Sequence, residues 1–192
     1  MEANNYPGKI KAVEKLAEKL THKGPYHNFA HELDVYRTVS LLAKLENISV
    51  EDKFLLQTAA LLHDNFYQPY NLLNEEKSVE RAKNHLLKIG YSIEQIRRIK
   101  ALILATKMPQ KPANLLEKLL CDADLDNLGR KDFFELGEKI RIEFGLSNNE
   151  EGYQRQLQFL QAHQYHTEVA RKLRDTGKQE NIEKLKKLLE EK

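Results

Sequence analysis

The 192-residue sequence predicts an all-α protein, a single-domain helical bundle of about 8–10 helices. Three observations lead there. Only 8 glycines and 5 prolines interrupt the chain. Between them, apolar residues recur at three-and-four spacing, the period of one helix face, rather than in the alternation of a half-buried strand. The length suffices for one substantial core and is short for two, and residues 1–192 are read as one unit without internal repeat or linker.

The elements follow in order. Helices are expected at about 8–21 and 27–46, with Gly24-Pro25 breaking the chain between them. A third runs at about 51–66, where Ser49 is placed to cap the N-terminus and Asp52 follows three residues on. Gly90 closes a fourth, at about 75–89, in a left-handed cap, and Ser92 with Gln95 forms a capping box for the fifth, at about 92–106. Pro109 and Pro112 end that helix and set the approach to the next, at about 113–127. Further helices are expected at about 131–145, 150–163 and 178–190, the last docking a stripe of Ile182, Leu185, Leu188 and Leu189. Val35, Val39, Leu42, Leu55, Ala59, Leu62, Leu102, Ile103, Leu116, Leu119 and Leu120 are expected to share one core.

Composition narrows the function. Hydrophobic residues make up 41% and charged residues 31%, and no apolar run reaches the ~20 residues of a membrane span. Net charge is +2, from 31 basic and 29 acidic residues interleaved along the chain, which offers no footprint for nucleic acid or a membrane surface. The N-terminus lacks the apolar stretch of a signal peptide, and the single Cys121 cannot form an internal disulfide, so a cytoplasmic location is expected. Self-association into homo-oligomers stays open.

Against this background four stretches carry groups that a packed helix normally avoids. YHNFAHELDV places His27 and His31 four residues apart, on one face of a helix. LLHDN sets His63 beside Asp64 at the end of an apolar helix. LLCDADLDNLG carries Asp122, Asp124 and Asp126, and NEEKS opens a helix with Glu75 and Glu76. Each has an ordinary explanation: a hydrogen-bonded core histidine, a helix cap, acidic groups where the helix dipole favours them. Together the ordinary readings fare worse. His31, His63, Asp64 and Asp124 lie in segments expected to face one core, and two imidazoles with two carboxylates suit a divalent metal ion. Adjacent residues diverge by ~100° around a helix, so His63 and Asp64 reach one ion only near the helix end or across its flank.

The order H…HD…D, here His31, His63-Asp64 and Asp124, resembles the signature of the HD superfamily of metal-dependent phosphohydrolases, in particular small stand-alone bacterial HD proteins. The likeness covers about residues 25–165 and includes YHNFAH, ALLHD, NEEKS, LILATK and DADLDNLGR. It implies an all-α HD-type fold and metal ligation by His31, His63, Asp64 and Asp124, with Asp122 the alternative to Asp124. It also implies hydrolysis of a small phosphorylated substrate, a nucleotide or related phosphomonoester, by a metal-activated water. Dinuclear relatives carry further histidines between the HD pair and the last aspartate. Here that interval holds only His85, which favours one divalent ion (Mn, Fe, Co, Ni, Zn or Mg) over two.

The remaining roles are expectations. Asp64, Glu75 and Glu76 are the catalytic candidates, the two glutamates as general acid or base. Lys107 and Arg130 are candidates to hold phosphate oxygens, His27 to line the pocket or hydrogen-bond behind a ligand, and Tyr67, with Tyr70, to stack on a base. His163 and His166 have chelate-like spacing that surface or core packing explains equally well. Two other functions compete: a metal- and nucleotide-binding sensor with little chemistry, and a di-iron oxygenase, which the shortage of histidines disfavours.

Overall fold

The computed structural model describes residues 5–146 and 149–190, and the regular secondary structure among them is all helical. Nine α-helices are present among them: α1 (Tyr6–Leu20), α2 (Phe29–Leu45), α3 (Val50–Ala60), α4 (Asn74–Ile89), α5 (Ile93–Ala105), α6 (Leu115–Asp124), α7 (Phe133–Glu143), α8 (Glu150–Ala162) and α9 (Glu168–Glu190). A single 3₁₀ turn, Asp126–Gly129, separates α6 from α7. No helix of the described residues is long and apolar enough to cross a membrane.

Local chemistry sets most of the boundaries. The Ser49 hydroxyl accepts from the Asp52 amide at 3.0 Å and starts α3. Ser92 and Gln95 form a reciprocal capping box on α5, and Gly90 ends α4 at φ +93°. Of the residues expected in the core, all but Leu116 are fully buried, and Leu116 packs against the same cluster. This core joins α2, α3, α5 and α6, so the ends of α3 and α6 and the start of α2 are held together.

Three boundaries differ from the sequence reading, each for a physical reason. α2 begins at Phe29, because the Asn28 side chain caps it by accepting from Ala30 and His31 amides at 2.9 and 3.3 Å. His27 therefore precedes the helix instead of sharing a face with His31. α3 stops at Ala60, and residues 61–65 continue as turns in which Asn65 Nδ2 donates to the carbonyls of Leu62 (2.9 Å) and Ser78 (3.0 Å). The last helix starts at Glu168, ten residues earlier than expected, and runs straight through Gly177. Gly177 breaks no helix because its role is close approach: a Cβ there would lie 2.1 Å from the Gly129 carbonyl oxygen, where α9 crosses the 3₁₀ turn.

Candidate metal centre and cavity

Four side chains converge where α2, the α3 end and the α6 end meet. His31 comes from the first turn of α2, His63 and Asp64 from the turns after α3, and Asp124 from the last residue of α6. His31 Nε2 lies 3.6 Å from Asp64 Oδ2 and 3.3 Å from Asp124 Oδ1, and His63 Nε2 lies 3.2 and 3.3 Å from the same oxygens. All four ligand atoms fall within 4.8 Å of one another, and no other such group of three or more occurs among the described residues. The early end of α3 makes this possible, since residues 63 and 64 on a continuing helix would point ~100° apart.

The donor set fits a divalent cation. His31 Nε2 and His63 Nε2 are buried and lack a hydrogen-bond partner among the described residues. A buried polar atom left so costs roughly 1–3 kcal/mol, whereas an imidazole nitrogen aimed at a cation does not carry that penalty. On its far side, His63 Nδ1 meets the Ala60 carbonyl at 2.9 Å, the backing that fixes a ligating tautomer. Burial works against charge on His63, yet Asp64 and Asp124 overcome it and raise its pKa well above the ordinary value. Burial likewise pushes both carboxylates up, but His63, His27 and His31 around Asp64, and His31 and His63 around Asp124, hold them below the usual range. The carboxylates thus stay ionised and demand positive charge between them, from protons or from a metal ion. Exposure of 6% and 1% for the two histidine side chains, against 10% and 16% for the aspartates, places solvent access on the carboxylate side.

Asp122 has a different job. Buried, it accepts from the His166 amide (2.7 Å), the Thr167 amide (2.8 Å) and the Thr167 hydroxyl (2.6 Å), tying α6 to the segment before α9. Both its oxygens are used, and of the two aspartates only Asp124 belongs to the cluster. Asp124 Oδ2 accepts from Gln110 Nε2 at 3.1 Å, a contact that leaves Oδ1 facing the histidines.

A cavity of about 570 Å³ opens on Asp64 and Asp124. His27, Tyr67, Glu75 and Lys107 lie on its wall with them. Tyr67 stacks on His27 with ring centroids 3.5 Å apart, so that one face of each ring is already covered. Glu75 is half-buried, and desolvation, then Asp64 and Glu76, raise its pKa. Glu76 is instead paired with Lys107 at 2.6 Å, which lowers its pKa, and it is not part of the wall.

Arg130 lies elsewhere. Its guanidinium is divided among Asp132 (2.5 Å), Asp34 (2.7 Å) and Asp126 (3.5 Å), and it does not reach the cavity wall. The cations that do, beside Lys107, are Arg141 of α7 and Arg155 of α8, which the sequence reading missed. No motif marks them, because only the packing of α7 and α8 around the cavity gives them that position. His163 and His166 likewise do not belong to the cluster; the ring nitrogens of His163 are buried without a hydrogen-bond partner among the described residues, and desolvation lowers its pKa to about 4.

No protein-family model matches the chain, and no curated protein sequence does. The crystal structure of Bacillus subtilis YpgQ in complex with ADP is similar to it, with a TM-score of 0.74 over 97% of this chain and 96% of that one, at 18% sequence identity. At that identity the likeness speaks to fold. The chain has an all-α fold of HD type, with a His₂Asp₂ cluster suited to a metal ion at the floor of a cavity.

Proposed function

We propose that this protein is a metal-dependent phosphohydrolase acting on a small phosphorylated compound, a nucleotide or related phosphomonoester. The observation that carries the reading is the convergence of His31, His63, Asp64 and Asp124, with two buried Nε2 atoms that no hydrogen bond among the described residues satisfies, beside a cavity far larger than a phosphate group. YpgQ, which shares the fold, is seen with ADP, and this supports a nucleotide as the substrate class.

One divalent ion held by the four side chains would supply Lewis acidity towards a phosphoryl oxygen and a lowered pKa for bound water. The chain's own groups do the rest. Lys107 on the cavity wall offers a cation to phosphate oxygens, and its pairing with Glu76 keeps the ammonium fixed. Glu75, which lines the cavity and whose pKa burial raises, is the better placed of the two glutamates to act as general acid or base. The apolar part of the wall, including Phe144 and Phe159, excludes water around the remainder of the substrate.

A screen of phosphorylated metabolites with Mn²⁺, Co²⁺, Mg²⁺ and Fe²⁺ tests the reading. Turnover should fall by roughly 100-fold or more in Asp64→Ala with the helical fold retained, because several kcal/mol of charge stabilisation leave with the ion. Metal-dependent turnover unchanged in that variant would refute it. Tight nucleotide binding without turnover would favour the sensor instead.

A further inference from the structure

Glu143, the last residue of α7, reaches back 116 positions in sequence to the segment that leads into α2. Its Oε2 accepts from the Tyr26 amide at 3.0 Å, from the His27 amide at 3.0 Å, and meets His27 Nδ1 at 3.2 Å. The side chain is only 3% exposed, and its other oxygen has no hydrogen-bond partner among the described residues, lying 3.7 Å from His22 Nε2. Gly24 is what makes room for it, since a Cβ there would stand 2.3 Å from Glu143 Oε1. Burial raises the pKa of Glu143, but the hydrogen bonds from His27 prevail and keep it a carboxylate.

The consequence falls on His27. With Nδ1 turned to a carboxylate, the ring is locked between Tyr67, stacked at 3.5 Å, and the edges of Tyr26 and His31. Its Nε2 then faces Asp64 Oδ2 across 3.9 Å, too far for a hydrogen bond and wide enough for an oxygen atom held by both. A carboxylate behind one imidazole nitrogen fixes the tautomer and leaves the other nitrogen a free acceptor.

We infer that Glu143 is a positioning residue of the active site, holding His27 as the Nδ1–H tautomer so that Nε2 accepts a hydrogen bond from a water or a substrate hydroxyl beside Asp64. The role in turnover rests on the phosphohydrolase reading above; the tautomer does not. Nitrogen-15 NMR of the full chain at pH 8 tests the tautomer, with Glu143→Gln as the variant. The glutamine oxygen still accepts the two backbone amides but lacks the charge that favours Nδ1–H.

Wild-type His27 should show a protonated Nδ1 and a bare Nε2, and the Nε2–H population should rise at least about threefold in Glu143→Gln while the His63 signals stay in place. A protonated Nε2 in the wild type, or an unchanged His27 in the variant, overturns the inference. If the metabolite screen finds a substrate, Glu143→Gln and His27→Ala should each lower kcat by about 10–100-fold with little change in KM. The double variant should then be no slower than His27→Ala alone, whereas a merely structural role for Glu143 would make the losses multiply. A screen without turnover refutes the phosphohydrolase reading and leaves the NMR result standing on its own.

Discussion

Replacing Glu32 with glutamine should change how stability depends on pH, by an amount the structure sets. Glu32 is fully buried on the inner face of α2, directly after His31. Its carboxyl shares a short hydrogen bond with the Thr21 hydroxyl, which also lies 2.6 Å from the Ala17 carbonyl oxygen. The hydroxyl donates to the Glu32 carboxyl, a contact that by itself favours the ionised form and lowers the pKa. Desolvation outweighs it and raises the pKa from 4.5 to about 8. The folded protein therefore keeps a proton that the unfolded chain loses near pH 4.5. Stability contributed by this group is present in full below that pH and is lost as pH climbs from about 4.5 to about 8. At ~1.4 kcal/mol per pKa unit, the loss is on the order of 5 kcal/mol. Glutamine keeps an acceptor for Thr21 and never ionises. Urea unfolding of metal-free protein should find Glu32→Gln close to wild type at pH 4.5 and more stable by several kcal/mol at pH 9. A stability difference that does not vary with pH would refute the reasoning.

Other expectations follow from single contacts. Asp122→Ala leaves three donors unmatched at the junction of α6 with the segment before α9, so it should cost about 3 kcal/mol in urea unfolding while metal stoichiometry stays at the wild-type value. Gly177→Ala sets a methyl against the Gly129 backbone and should cost about 1–3 kcal/mol, although the same change in an unpacked helix stabilises it; a variant melting above wild type would contradict the crossing of α9 over the 3₁₀ turn.

Much of this architecture is written locally. Ser49, Ser92-Gln95 and Gly90 act through bonds to residues within a few positions, so their caps could be read directly, and the apolar period marked the residues of the core. His31, His63, Asp64 and Asp124 were legible because each is a costly group in an apolar segment. What stayed hidden depends on distant contacts. Nothing near Asp122 in sequence says that Thr167 will claim it, and nothing near Arg130 says that Asp34 will. Gly177 reads as a helix breaker until the Gly129 backbone is seen against it. Glu143 has the look of an ordinary acidic residue at a helix end, and its meaning lies in the loop 116 positions away.

Metal titration of the purified chain tests the central claim most directly. Calorimetry with Mn²⁺ or Co²⁺ should give one ion per chain, and His63→Ala and Asp124→Ala should each weaken binding by about 100-fold or more, as expected when one of four ligands is removed. Binding of undiminished affinity in both variants would contradict the account, and so would a wild-type chain that takes up no divalent ion at all.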